Sequence, residues 1–134
     1  PKGGYYAEQS GVMFPLMNKS SRYPSKREMI GFRTATEAIA IDKQALRDVQ
    51  VMRYQGERRD FLILYDDGLD SAWVLQGNHG ALPDNLTLAD VDFGPAGPVG
   101  VRLTGLTPIN AFDVFWFAWY AFYPQTVVLD GKNQ

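Results

Sequence analysis

Three aspartates that stand close together are the densest group of side chains in this sequence that could carry out chemistry. Asp66, Asp67 and Asp70 follow an apolar run, with Gly68 among them. Carboxylates at this spacing could bind calcium through oxygen ligands, or serve as the acid and base of a hydrolase that acts on glycans. The twelve-residue calcium loop does not fit, and Asp-Gly pairs also form turns for conformational reasons. A structural turn, a weak calcium site and a hydrolase therefore remain three interpretations of one cluster.

His79 is the one histidine of the chain and stands in a polar Gly-Asn-His-Gly segment. The base of a catalytic triad needs a nucleophile and an orienting group, and no Gly-x-Ser-x-Gly motif supplies the nucleophile here. A zinc site needs further histidines or cysteines, and the chain has no cysteine. We therefore assign no catalytic residue and no metal ligand, and expect His79 to be an ordinary loop histidine or a ligand contact.

Aromatic side chains form a second group that could bind a ligand. Outside an aromatic run near the C-terminus, the sequence carries Trp73, Tyr5, Tyr6, Tyr23 and Tyr54. Surface tyrosine and tryptophan offer a large contact area together with a polar group. Trp73 could equally be part of the core. The candidate ligand-binding residues are accordingly Trp73, Asp66, Asp67, Asp70 and His79.

Composition argues against several other classes of function. The chain has 134 residues, 46% of them hydrophobic, which is enough for one domain with its own core. Its net charge is −2, and pairs such as Arg58 and Arg59 stand among acids, which is typical of a solvated surface rather than a nucleic-acid interface. The glycines of residues 94–98 lack the lysine of a phosphate-binding loop. We expect no cofactor and no nucleic-acid partner.

The elements that must position these residues are mostly strands. Strands are predicted at residues 27–33, 37–41, 49–54, 61–65, 71–75, 99–103 and 127–129, with short strands at 86–88 and 91–93. A short helix over residues 43–47 is predicted to be capped by Asp42. Residues 1–25 are expected to form a loop-rich arm and residues 26–129 the core of a single domain, 1–134. We predict an α+β fold whose mostly antiparallel sheet curls into a small sandwich or a partly open barrel.

One aromatic helix is predicted over residues 109–122. Thr107 and Pro108 fit an N-cap followed by proline at the first helical position, and Pro124 forces an end. The segment is too short to cross a membrane and contains Asp113, so no transmembrane segment is expected. Its rings could be buried against the sheet as the centre of the core, or could form a stacking platform for a ligand.

The aromatic run also resembles a known family. Its sequence F-W-F-A-W-Y-A-F-Y-P, followed by Q-T-V-V-L, is similar to the C-terminal signature of the bacterial family of domains of unknown function 3179. Shorter matches upstream cover Phe14-Pro15-Leu16, Ile30-Gly31-Phe32, residues 61–66 and the Gly-Pro-rich residues 94–103. Many members carry a Tyr-Cys-Pro motif after the central strand, where this chain has Tyr65-Asp66-Asp67. Thiol chemistry is therefore excluded here.

The resemblance implies a compartment but no mechanism. Members typically look like exported or lipid-anchored bacterial proteins, which implies an extracytoplasmic location. The chain opens at Pro1 without an initiator methionine, so we expect a processed protein or part of a longer chain. The predicted function is a non-catalytic binding or interaction module for an unknown ligand or protein partner. The alternative is a hydrolase that uses Asp66, Asp67 and Asp70.

Overall fold

A computed structural model describes residues 6–9, 12–15 and 23–131 of the chain. The strands in chain order are β1 (Tyr6–Gln9), β2 (Val12–Pro15), β3 (Glu28–Arg33), β4 (Ala38–Asp42), β5 (Val51–Gln55), β6 (Asp60–Asp66), β7 (Ser71–Gly77), β8 (Asp92–Gly94), β9 (Gly97–Val99), β10 (Thr107–Ile109), β11 (Phe112–Phe115) and β12 (Val127–Leu129). The α-helices are α1 (Lys43–Val49) and α2 (Trp116–Phe122), and 3-10 turns span Leu88–Asp90 and Val101–Leu103.

Two four-stranded sheets form a sandwich-like α+β fold. The first sheet has the strand order β10-β7-β6-β5 and the second has the order β11-β3-β4-β12. Neighbouring strands are antiparallel except β12, which lies parallel to β4. The predicted α+β class with mostly antiparallel strands is confirmed, and the sheets of the described ranges form a sandwich rather than a closed barrel.

The apolar side chains fill three layers because the strands alternate their two faces. The layer between the sheets includes Phe32, Ile41, Met52, Phe61 and Ile63. On the outer face of the first sheet, leucines of β6 and β7 are covered by apolar residues of the long connection that follows β7. On the outer face of the second sheet, the covering element is α2. Since β6 is buried on both faces, it is the central strand that its apolar run predicts.

The aromatic helix is shorter than the predicted residues 109–122. α2 begins at Trp116, and the preceding residues form the end of β10, a corner and β11. Since β10 pairs with β7 and β11 pairs with β3, this segment crosses from the first sheet to the second. A continuous apolar run does not distinguish a strand from a helix by its period, and here the free edges of both sheets supply hydrogen-bond partners.

Smaller corrections concern caps and short strands. Asp42 stands at the N-cap of α1 but makes no capping side-chain bond there, because its carboxylate binds Arg27. The strand predicted at 99–103 is the end of β9 followed by a 3-10 turn, and the one predicted at 86–88 is replaced by the turn Leu88–Asp90. The arm predicted as loop contains the hairpin of β1 and β2.

The strand directions define two ends of the sandwich. The closed end carries α1, which contacts β3, β4, β5 and β6, together with the β6–β7 turn at residues 67–70. The open end carries the β3–β4 turn at residues 34–37 and the β5–β6 turn at residues 56–59. Because β7 runs from the closed end to the open end, Asp70 and His79 lie at opposite ends.

Candidate functional site

The β6–β7 turn joins two of the candidate residues by a hydrogen bond. The Trp73 indole N–H donates to Asp66 Oδ2 at 2.9 Å, and the Gly68 backbone N–H donates to Asp66 Oδ1 at 3.0 Å. Asp66 is buried, and the half-buried Trp73 ring packs on Gly97, where an added Cβ would stand 3.1 Å from the ring. Both carboxylate oxygens of Asp66 therefore stabilise the turn, and the Trp73 ring contacts the chain itself.

Asp70 has a separate set of partners. Its φ of 48° is left-handed, a conformation that aspartate tolerates in turns. The Arg47 guanidinium donates to its two carboxylate oxygens at 3.0 and 2.9 Å, and the Tyr65 hydroxyl donates to Oδ1 at 2.6 Å. The bonds from Arg47 and then from Tyr65 hold the pKa of Asp70 well below its usual range. Asp67 is exposed, and its backbone carbonyl accepts from the Asp70 N–H.

Lys43 is the centre of an ion-pair network at the closed end that sequence reasoning missed. This lysine is 6% exposed, and its Nζ lies 3.3 Å from Asp113 Oδ1 and 3.6 Å from Asp70 Oδ2. The Ser71 hydroxyl also donates to Asp113, at 3.2 Å. Arg47 continues the network to Glu28 at 3.1 Å. The one feature of the sequence that points to this network is the four-residue spacing of Lys43 and Arg47, which places both cations on one face of α1.

His79 lies at the open end and does not join the acids of the β6–β7 turn. Its Nδ1 is 2.8 Å from Asp60 Oδ1 and its Nε2 is 3.3 Å from the Glu57 carbonyl. The bond to Asp60 and then the bond to the Glu57 carbonyl raise the pKa of His79 above its usual value. The Gly80 N–H donates to the second oxygen of Asp60. Because His79 binds both Asp60 and the Glu57 carbonyl, it stabilises the β5–β6 turn.

The candidate residues therefore do not share one pocket. Three surface clefts of the described ranges have volumes of about 530, 440 and 310 Å³, and the five candidates line none of the three. A hydrolase using the aspartates would need a cleft that gathers their carboxylates beside a substrate. Asp66 and Asp70 instead bind donors of their own turn and of α1. The hydrolase alternative has no support in this geometry.

The smallest of these clefts lies at the open end and is rich in arginine. Arg33, Arg58 and Arg59 line it, with Phe61 and Ile109 among its apolar residues. The sequence shows Arg58 and Arg59 only as a charged pair near acids. It places Arg33 far away along the chain, so the clustering appears only when the two turns are folded side by side.

Exposed phenylalanines form a second group of side chains that the sequence did not separate from the core. Trp116 and Trp119 of α2 are buried, and the Trp119 ring packs on Gly31, where an added Cβ would stand 2.5 Å away. The exposed rings of the same segment are Phe112 at 58%, Phe115 at 45%, Phe117 at 53% and Phe122 at 79%. The rings of Phe115 and Phe117 stack with centroids 6.4 Å apart. The run thus divides into a buried tryptophan set and an exposed phenylalanine set.

Most of the aromatic residues outside this run, which the sequence offered as candidate ligand contacts, pack against the rest of the protein. Tyr23, Tyr54 and Trp73 are half-buried. The Tyr23 ring lies 5.2 Å from the Trp116 ring, and the Tyr54 hydroxyl donates to Glu37. Tyr5 and the side chain of Tyr6 lie outside the described residues. Among the described aromatics, the most exposed rings are therefore found on β11 and α2.

Comparisons with known proteins add a family and no mechanism. Within the described ranges, no group of three or more acidic or histidine side chains is arranged to hold a metal ion. Neither α-helix there is long and apolar enough to cross a membrane. No curated protein and no solved structure matches the chain. The family model described as protein of unknown function (DUF3179) matches residues 1–126.

Proposed function

This chain belongs to the DUF3179 family of proteins of unknown function, and we propose that it is a non-catalytic binding module of an exported bacterial envelope protein. Its contact surface is the set of exposed phenylalanines on β11 and α2. The partner is a protein that contributes an extended apolar segment. The carrying observation is that four large rings are exposed in one segment whose two tryptophans are buried.

The state of the acids supports binding rather than catalysis. General acid–base work needs a carboxyl group within reach of a substrate and free to exchange its proton. Asp66 accepts from Trp73 and Gly68, and Asp70 accepts from Arg47 and Tyr65. Each of these two carboxylates already has charged or polar donors inside the protein, which keeps it in a fixed structural role.

The position of the phenylalanines supports a protein partner. The exposed Phe115 and Phe117 rings stack on each other, and aromatic residues are enriched where proteins contact one another. β11 is the last strand of the second sheet, and none of the strands in the described ranges pairs with its outer edge. Its sequence, Phe-Asp-Val-Phe, lacks the proline and the lysine that commonly protect such an edge, and its one charged residue, Asp113, is paired with Lys43. An extended segment can therefore add to this edge and pack on its rings.

Site-specific photocrosslinking tests the surface. A photoreactive phenylalanine analogue at Phe117 should crosslink one defined protein in the source cell, whereas the same analogue at Val101 should not. Val101 is the matched control because it is 90% exposed and lies in a 3-10 turn away from β11. With the purified partner, Phe117→Asp should weaken binding about tenfold or more and Val101→Asp should leave it unchanged.

Three results would refute this proposal. Equal crosslinking from both positions would show that the phenylalanine surface is not special. Self-crosslinking, with a dimer that Phe117→Asp disrupts, would make the occupant a second copy of the chain. Turnover of an ester, glycoside or peptide that Asp66→Asn or Asp67→Asn abolishes would make the chain a hydrolase. Fractionation of cells that express the full-length protein tests its export independently.

A further inference from the structure

The open end of the sandwich contains a small cleft between two turns. Its volume is about 310 Å³, near the lower limit for sites that hold a small organic molecule. Its wall is lined by Arg33 at the end of β3, by Thr36 of the β3–β4 turn, and by Arg58 and Arg59 of the β5–β6 turn. Phe61 and Ile109, which belong to or pack against the layer between the sheets, give the cleft an apolar part.

Among the arginines that the structure describes, the three of this cleft differ in that none makes an ion pair with a described carboxylate. The arginines of the described ranges that do pair with a carboxylate are Arg27, Arg47, Arg53 and Arg102. None of these four lines the open-end cleft. The three that make no ion pair in the described part of the chain converge on it. The guanidinium fork donates in pairs to carboxylate or phosphate oxygens, so three guanidinium groups without a described carboxylate partner at one cleft are suited to an anion from outside.

The one acid that lines the cleft is already engaged. Glu37 accepts the Tyr54 hydroxyl on one carboxylate oxygen and the Glu57 backbone N–H, at 3.0 Å, on the other. Burial and then the hydrogen bond to Glu37 raise the pKa of Tyr54, so its hydroxyl stays a donor at neutral pH. Glu37 therefore links the two turns, and within the described ranges it makes no ion pair with an arginine.

Further contacts fix the turns that carry the arginines. The Gly56 N–H donates to the Arg59 carbonyl at 2.9 Å, and His79 holds the outer side of the same turn through Asp60 and the Glu57 carbonyl. The Arg33 guanidinium lies 5.1 Å from the centre of the Tyr123 ring. The cationic wall is thus supported by the fold, which lowers the ordering cost of binding.

We infer that this cleft binds a small organic phosphate monoester, with Arg33, Arg58 and Arg59 around the phosphate and the apolar group of the ligand toward the half-buried Ile109. Three guanidinium groups against the one carboxylate of Glu37 leave a net charge of +2 at the cleft. A phosphate monoester carries about −1.5 to −2 at neutral pH, which matches this charge. Guanidinium forks donate in pairs to phosphate oxygens, and Gln76 and Thr36 add neutral donors at the rim.

The test uses phenyl phosphate as the probe, followed by amide chemical shifts of the whole chain. Phenyl phosphate should shift the amides of residues 34–37 and 56–59 saturably, with a Kd of about 1 mM or tighter. Arg58→Ala combined with Arg59→Ala should weaken this binding about tenfold or more. Arg58→Lys with Arg59→Lys should lie between, because the charge remains and the fork is lost.

Matched controls separate a site from general charge attraction. Arg53→Ala combined with Arg102→Ala removes the same two charges from arginines outside the cleft and should change the Kd less than about twofold. Inorganic phosphate, which lacks an apolar group, and benzoate, which has one negative charge, should each bind about tenfold more weakly than phenyl phosphate.

Each other outcome overturns the inference. The absence of saturable shifts at about 10 mM phenyl phosphate would show that the cleft is no anion site. Equal weakening in the two double variants would reduce the effect to net charge. If inorganic phosphate binds with the same Kd as phenyl phosphate, the apolar group contributes nothing to binding. If benzoate binds with the same Kd, a doubly charged phosphate is not required. Because the cleft does not include β11, none of these results bears on the proposal that the exposed phenylalanines bind a partner.

Discussion

The two ends of the sandwich carry similar side chains and treat them in opposite ways. At the closed end, Lys43 and Arg47 each bind carboxylates, and the carboxylates come from β3, β11 and the β6–β7 turn. At the open end, the cations of the two turns stand beside a carboxylate that binds a hydroxyl and a backbone N–H instead. Charged residues thus form internal ion pairs at the closed end, whereas the cations of the open-end cleft have no carboxylate partner in the described ranges.

This difference separates a structural cluster from a candidate binding site better than residue type does. The aspartates of the closed end attract attention in the sequence because carboxylates can bind metals and transfer protons. In the fold, the Asp66 carboxylate has nearby donors and the Asp70 carboxylate has nearby donors and cations, which explains the lowered pKa of Asp70. The arginines of the open end look like ordinary surface charges in the sequence. A group that lacks an internal partner is the better candidate for an external one.

The largest expected effect separates a ring buried at the open end from an exposed ring of α2. Phe61 is 2% exposed, and its ring lies 5.2 Å from Phe32. Phe61→Ala should lower the free energy of unfolding by about 3–5 kcal/mol, because a large cavity would be left between the sheets. Phe122→Ala, at a ring that is 79% exposed, should change it by less than about 0.5 kcal/mol. Urea titration checks both, and similar losses would mean that exposure does not distinguish the two rings.

The next effect tests whether pairing at the closed end stabilises the fold. The Arg27 guanidinium donates to both oxygens of the buried Asp42 at 2.8 and 2.7 Å. Asp42→Ala should cost about 1–2 kcal/mol, a value reduced because Arg27 is partly exposed and can be hydrated. Asp84→Ala is the control, since the Asp84 side chain is 90% exposed and stands 3.8 Å from Arg53. If urea titration shows that Asp84→Ala lowers the free energy of unfolding as much as Asp42→Ala does, the ion pair of Asp42 with Arg27 does not account for the loss.

A smaller effect is expected at the open-end arginines. Arg58→Ala with Arg59→Ala should change the free energy of unfolding by less than about 0.5 kcal/mol, because neither side chain has a carboxylate partner in the described ranges. Thermal and urea unfolding of the double variant provide the measurement. A loss above about 1 kcal/mol would show that the arginines support the fold and would remove the contrast between the two ends.

The smallest effect is a pH dependence at His79. Since Asp60 raises the pKa of His79 above 6.5, the pair stabilises the fold fully below about pH 6.5 and loses this contribution as pH rises through the raised pKa. His79→Ala should therefore reduce stability at about pH 5.5 and have less effect at about pH 8.5. Urea titrations at the two pH values check the sign. An equal loss at both would show that protonated His79 does not matter.

The sequence identified most of the strands but divided the aromatic run incorrectly. Alternation and turn residues predicted β5, β6 and β7 as strands because each of them buries one or both faces. The helix predicted over residues 109–115 was wrong because a continuous apolar run is compatible with both a buried helix and a buried strand. Edge positions on two sheets decided in favour of strands, and those sheets are assembled from residues far away in the chain.

The candidate site shows the same limit. Sequence reasoning named Asp66, Asp70 and Trp73 and gave a structural turn as one interpretation of the aspartates, but it could not identify the donors in the turn and in α1 that bind them. Arg33 could not be linked to Arg58 and Arg59 because no periodicity connects two different turns. Whether these predicted residues bind a ligand stays a prediction, and the structure adds the open-end cleft as a better-supported location.

The sequence by itself determined the family, the α+β class and the positions of most elements, because these depend on local patterns of apolar residues, prolines and turns. Only the tertiary structure decided which charges are paired, which rings are buried and which three arginines meet. Those properties depend on distances between residues that are remote in sequence, and a hydrogen bond or ion pair forms only when the fold brings both groups within a few ångströms.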